Sequence, residues 1–190
     1  TNDCDYLERA FRCVSWTRNP LFVWKQHIQP GLLETICFMT ETTNPYLIRC
    51  LECRTRNRIP ADKLGAVARC GKCRASVPTA DVLIPQPHLV TDANFESTIL
   101  KAPIPSLIFA WAPWCGTCTQ VAPAFDSFAQ DAKGRVRAGK LNVDANKQLA
   151  ARFNILSVPF LFVFDNGQLR QSLPGVQTKH ELMMLMAPYI

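Results

Sequence analysis

The second half of the chain alternates between two spacings of apolar residues. Phe95, Ile99 and Leu100 recur at helical spacing behind Thr91 or Asp92, either of which suits an N-cap. Pro103 and Pro105 close that segment. Ser106 to Ala112 is a short, nearly continuous apolar run, the pattern of a strand buried on both faces. From Gly116 the spacing returns to helical, with Val121, Phe125 and Phe128 on one side and Pro123 predicted to kink the helix. Val136 to Val143 reads as a strand, and Asn146 to Phe153 as a short helix with Leu149 and Phe153 on one side. Phe160 to Phe164 is a strand running into Asp165-Asn166-Gly167, a hairpin signal that predicts antiparallel pairing for Gln168 to Leu173. Thr178 and Glu181 form a capping box ahead of a Leu/Met face from Leu182 to Met186, predicted to pack in the core. The succession helix, strand, helix, strand, helix, strand, strand, helix predicts an α/β domain over residues 89–190, with a mixed central sheet and helices on both faces.

The first half is organised differently. Residues 1–45 show no repeat and no single period, and form an extension to which the sequence assigns no structure. Residues 46–80 hold two closely spaced cysteine pairs. Residues 81–88 contain Pro85 and Pro87 and read as a stiffened linker. Met39 is the expected physiological start, because residues 1–38 show no recognisable period; the competing reading is a genuine folded extension or a lineage-specific arm.

Composition narrows the function classes. No apolar run approaches the roughly 18 residues of a membrane span. The opening Thr1-Asn2-Asp3-Cys4-Asp5 lacks the basic-then-apolar order of a secretory signal, so a reducing, cytosolic compartment is expected. The net charge of +6 is concentrated in residues 46–80, which hold eight Lys/Arg against two Asp/Glu. Basic residues interleaved with aromatics would point to nucleic acid, but that interleaving is absent here. The simpler reading is that the basic residues offset thiolates gathered on a metal.

Six of the nine cysteines fall into three C-x-x-C pairs. Cys50, Cys53, Cys70 and Cys73, with 16 residues between the pairs, have the spacing of a structural zinc ribbon: two tight turns supply four thiolates to one tetrahedral ion and close its coordination sphere. A 35-residue segment has too little core to fold without such a staple. The third pair, in Trp114-Cys115-Gly116-Thr117-Cys118, lies between a predicted strand and a predicted helix. A first cysteine at a helix N-terminus is stabilised as thiolate by unpaired N–H groups and the helix dipole, while the second lies one turn further in. Gly116 leaves room for a substrate backbone. Thr117 is expected to donate from its N–H and hydroxyl toward the Cys115 sulfur and to make the pair more oxidising. Trp111 is expected in the core.

Residues 83–190 resemble the thioredoxin family. The resemblance rests on Trp111-Ala112-Pro113-Trp114-Cys115-Gly116-x-Cys118, Pro123, Lys140 to Asp144, Ser157-Val158-Pro159, Asp165-Asn166-Gly167 and Gly175. It implies a redox-active Cys115–Cys118 disulfide without an organic cofactor, Cys115 as attacking nucleophile and Cys118 as resolving cysteine. It further implies a cis peptide at Pro159 and a recognition surface built from Trp114, Gly116, Thr117, Pro159 and Gly175. The chain departs from the family at Thr117, where proline is usual. It departs again at Phe109, six residues before the nucleophile, where the family has a buried aspartate thought to deprotonate the resolving cysteine. With the ribbon, including Asn57-Arg58-Ile59-Pro60 and Cys70-Gly71-Lys72-Cys73, the resemblance extends to bacterial thioredoxins of the thioredoxin-2 type. That implies a cytosolic protein-disulfide reductase with one structural zinc, acting on protein disulfides and recharged by an NADPH-dependent thioredoxin reductase. The alternative is a zinc-dependent polypeptide-binding holdase with weak redox activity. His27, His88, His180, Cys4, Cys13 and Cys37 have no metal or catalytic spacing and receive no role.

Overall fold

The computed structural model describes residues 45–190. Two hairpins open it: β1 (Tyr46–Arg49) pairs antiparallel with β2 (Arg56–Ile59), and β3 (Ala68–Arg69) with β4 (Ser76–Val77). Their shared core is small: Ile48, Cys50, Ile59, Cys70 and Val77, completed by Val82 and Ile104 from further along the chain.

The remainder is built on a five-stranded mixed sheet in the order β5-β7-β6-β8-β9. The strands are β5 (His88–Val90), β6 (Ser106–Trp111), β7 (Arg137–Asn142), β8 (Phe160–Asp165) and β9 (Gln168–Pro174). β6 runs parallel to β7 and antiparallel to β8, so both its edges are paired, while its apolar run requires both faces to be covered. Its side chains alternate between two cores. Leu107 and Phe109 pack with Phe125 and Phe128 of α1 (Gly116–Asp131) and with Leu182 and Met186 of α3 (Lys179–Met186). Ile108 and Ala110 pack on the opposite face with Phe95, Ile99 and Leu149, the last from α2 (Lys147–Arg152). The predicted α/β sandwich is therefore observed, together with the capping box in which Thr178 Oγ1 accepts from the Glu181 N–H and Glu181 accepts from the Thr178 N–H.

Three details differ from expectation. The first helical segment is one turn of π-type helix, Glu96–Leu100, entered through Thr91, whose hydroxyl accepts from the Asn94 N–H. Residues 81–88 are not a bare spacer: Asp81–Leu83 make a 3-10 turn that buries Val82, and His88 begins β5. In α3, Leu182 and Met186 are buried but Met184 is exposed. The helix α1 holds Pro123 in its interior and ends at Asp131. Cys4, Cys13, His27, Cys37 and Met39 lie outside the described residues.

The ribbon is fastened to the sheet at one end. One nitrogen of Arg49, Nη2, donates to both carboxylate oxygens of Asp165 at 2.9 Å, with both side chains largely buried. The Arg49 N–H donates to Pro103 O at 2.7 Å, and Arg54 Nε to Asn166 Oδ1 at 2.8 Å. These contacts lie where β6 begins and β8 ends. The other end of β6, one six-residue strand or about 20 Å away, leads into the third cysteine pair.

Candidate functional site

β6 ends at Trp111, and Ala112-Pro113-Trp114 turn the chain into α1. Cys115 is the N-cap of that helix. Its backbone is extended, its N–H donates to Ala112 O at 3.1 Å, and its sulfur accepts from the Cys118 N–H at 3.1 Å. The sulfur thus occupies the position where a helix start binds negative charge. Cys115 and Cys118 form a disulfide with a Cα–Cα separation of 5.3 Å. Cys115 is 7% exposed and Cys118 2%, so Cys115 is the more accessible residue of the pair. Among the described residues, neither the Thr117 N–H nor its hydroxyl bonds the Cys115 sulfur. The donor is Cys118 N–H, which any residue at position 117 leaves in place.

Three loops meet at this disulfide. The Cys115 sulfur lies 3.7 Å from Val158 O, next to a cis Val158–Pro159 bond. Gly175, at φ +95°, donates its N–H to Pro159 O at 3.0 Å and ties the loop after β9 to the proline loop. That φ suits glycine, and at both Gly175 and Gly116 nothing lies within 4 Å of where a Cβ would stand. Trp114 is 70% exposed, yet its indole Nε1 donates to Asp144 Oδ2 at 2.9 Å, which fixes the ring beside the disulfide. Asp144 is a site residue whose role the sequence did not reveal. The available signal was strand register: Trp111 pairs with Asn142, so the loop after β6 must run beside the loop after β7. Behind the disulfide, Phe109 is buried against the Phe125 ring, 5.3 Å between centroids. Cys118 shares that apolar core.

Cys50, Cys53, Cys70 and Cys73 converge with all four sulfurs within 4.8 Å of one another and none in a disulfide. They come from two matching knuckles. In one, Cys50 N–H donates to Thr55 O and Arg54 N–H to Cys50 O. In the other, Cys70 N–H donates to Ala75 O and Arg74 N–H to Cys70 O. Arg54 and Arg74 close the knuckles at φ 59° and 64°. The Cys50–Cys73 and Cys53–Cys70 sulfur separations are both 3.5 Å, close to the ~3.8 Å edge of a tetrahedron drawn at a Zn–S distance of ~2.3 Å. The donor set fits as well as the geometry. The N–H groups of Cys73 and Lys72 pull the Cys70 thiol down to about 6. The Cys73 thiol, despite the Ala75 N–H that lowers it, is pushed up to about 12 by crowding from the other sulfurs and by burial. Four thiolates so close together need a cation, and a dication of tetrahedral preference matches them.

The basic residues of the ribbon are deployed differently from the sequence reading. Arg49 and Arg54 bond the far domain, and Arg56 lies 3.8 Å from Asp165, so these charges serve docking rather than the sulfurs. His88 is half-buried in β5, its pKa lowered by burial and by Arg137, while His180 is exposed on α3; neither approaches a metal cluster among the described residues.

An N-capping disulfide beneath a cis-proline loop, carried on a five-stranded mixed sheet, defines a thiol–disulfide oxidoreductase. Residues 86–188 match the thioredoxin family, and residues 49–75 match the N-terminal zinc ribbon of thioredoxin 2. The chain is 37% identical over 101 residues to thioredoxin 1 of Nostoc sp., covering 53% of this chain and 94% of that protein. It is 40% identical over 93 residues to the thioredoxin of Haemophilus influenzae, covering 49% and 87%. With thioredoxin 1 of Synechococcus elongatus the identity is 41% over 93 residues, covering 49% and 87%. The chain belongs to the thioredoxin family, and its ribbon is that of the thioredoxin-2 type. No helix among the described residues is long and apolar enough to cross a membrane.

Proposed function

We propose that this protein is a cytoplasmic protein-disulfide reductase that works through the Cys115-Gly116-Thr117-Cys118 dithiol. The Cys115 thiolate attacks one sulfur of a substrate disulfide, breaking that bond and releasing the other sulfur as a thiolate. A mixed disulfide then joins Cys115 to the substrate. Cys118 loses its proton and attacks the Cys115 sulfur, expelling the second substrate thiolate and forming the Cys115–Cys118 disulfide. Two electrons pass to the substrate, and its two thiolates take up protons. Trp114, Gly116, Thr117, Pro159 and Gly175 form the surface on which substrate backbone docks. An NADPH-dependent thioredoxin reductase returns the pair to the dithiol. Residues 46–80 are a ribbon holding one structural zinc through Cys50, Cys53, Cys70 and Cys73, and residues 89–190 are the redox domain.

The observation that carries this reading is the Cys115 sulfur itself. It caps α1, accepts the Cys118 N–H at 3.1 Å, and belongs to the more exposed residue of the pair. A helix N-terminus that bonds a sulfur favours its anionic form and therefore the reduced, attacking state. NADPH-coupled reduction of insulin with a competent thioredoxin reductase tests it. Turnover that persists in a chelator is expected. No turnover would leave polypeptide holding as the function.

A further inference from the structure

The ribbon carries a second candidate site, independent of the redox reading. A groove of about 660 Å³ runs between β2 and β3. Arg56, Arg58, Lys63, Arg69 and Lys72 line it, with no acidic and no aromatic residue among its walls. All five cations are exposed, and the last four have no acidic partner among the described residues. The floor is fixed: Gly71 N–H donates to Asn57 Oδ1 at 3.0 Å, and Asn57 Nδ2 donates to Thr55 O at 3.0 Å, so one side chain ties the two halves of the ribbon together. β2 belongs to a two-stranded sheet, and β1, its partner on the far side, contributes nothing to the groove. The groove therefore lies along the unpaired edge of β2.

An unpaired edge beside a cationic wall selects its occupant. Free N–H and C=O groups take an extended polypeptide as an added strand. Arg56 and Arg58, two residues apart on β2, share one side of it and would oppose alternate residues of the incoming strand. Nucleic acid would find the charge but no aromatic surface for its bases. We propose that this groove binds an extended acidic polypeptide segment with a carboxylate at every second position, paired along the free edge of β2.

The test uses the full zinc-loaded chain and a fluorescein-labelled, cysteine-free peptide of alternating glutamate and valine, followed by fluorescence anisotropy. Binding is expected, weakening as salt rises. Methylating alternate backbone nitrogens of the peptide should weaken it about tenfold or more, because the strand hydrogen bonds are lost. Arg58→Ser with Arg69→Ser should weaken it by a similar factor, whereas Arg58→Lys with Arg69→Lys should restore most of the binding. Zinc content and insulin reduction, unchanged in both double variants, show that the fold is kept. Three results would each overturn the proposal: no binding by the parent peptide, equal binding by the N-methylated peptide, or oligothymidylate of the same charge binding as tightly as the peptide.

Discussion

Three C-x-x-C pairs in one chain meet two different fates. In the ribbon, the residue after each pair turns to positive φ, at Arg54 and Arg74, so the chain folds back and its backbone N–H groups point at the sulfurs from a closed knuckle. Neither pair closes on itself. Cys50 faces Cys73 and Cys53 faces Cys70, each across the knuckles at 3.5 Å. After Trp114 the backbone instead enters α1, the first cysteine becomes the cap of that helix, and its nearest sulfur is the one three residues on. Identical spacing thus gives a metal cage or a redox pair according to the backbone that follows the first cysteine. What lies around the sulfurs completes the contrast. The ribbon sulfurs are crowded by one another, which a cation relieves, while the redox pair sits between a helix start and an apolar core with one sulfur reachable from solvent.

Exchanging single cysteines between the two regions should break the comparison most severely. Cys50→Ser is expected to lose zinc, measured by metal analysis, and to keep insulin reduction. Cys115→Ser should keep one zinc per chain and lose reduction entirely. Structural zinc contributes on the order of 10 kcal/mol to a small ribbon's folding, so the first variant should also lose the ribbon's protection from proteolysis.

The next effect concerns how the regions are joined. Arg49→Leu leaves the Asp165 carboxylate largely buried without its main ion-pair partner and should destabilise the protein by about 3 kcal/mol in chemical denaturation. Arg49→Leu combined with Asp165→Leu should recover most of that loss, and zinc content should not change in either variant.

A smaller effect separates the two ways of handling a thiol proton. Cys118 sits in an apolar core where Phe109 occupies the place of the family's aspartate. Phe109→Asp should accelerate resolution of the mixed disulfide at neutral pH by about tenfold or more, since a carboxylate there acts as general base. It should also lower stability, because that carboxylate is buried. Stopped-flow measurement of the second exchange step checks the first, and thermal unfolding the second.

The smallest effect is expected at Thr117. The sequence pointed to a hydroxyl and an N–H supporting the Cys115 thiolate, but the observed donor is Cys118 N–H, which Thr117→Pro preserves. Only one unpaired N–H of the first helical turn is lost, worth about 0.5 kcal/mol. The pair should become more reducing by about 10 mV, since 30 mV corresponds to ~1.4 kcal/mol for two electrons. Equilibration against a glutathione series measures this.

Much of this was legible in the sequence because it is local. The apolar run of β6, the capping box of α3 and the hairpin turn before β9 each announce themselves within a few residues. The four ribbon cysteines did so through spacing. β5 did not: three residues with Leu89 exposed, just after two prolines, are too few to show a period. Asp144 was hidden because its partner, Trp114, is brought to it by strand register rather than by sequence distance. Arg49 and Asp165 are 116 residues apart, and nothing local marks an arginine as destined for a particular carboxylate. The distribution of basic charge was visible, but its division between docking contacts and an open groove depends on where the ribbon lies against the sheet.

The central claim is that Cys115 alone, among the six described cysteines, attacks partner disulfides while the other sulfurs hold metal or wait to resolve. It is tested most directly by trapping. Cys118→Ser protein, zinc-loaded, is mixed with disulfide-bearing substrate proteins, and the covalent adducts are mapped by peptide mass spectrometry alongside zinc content. The account predicts adducts at Cys115 only, with zinc retained. Adducts on Cys50, Cys53, Cys70 or Cys73 accompanied by zinc loss, or no adduct at Cys115, would contradict it.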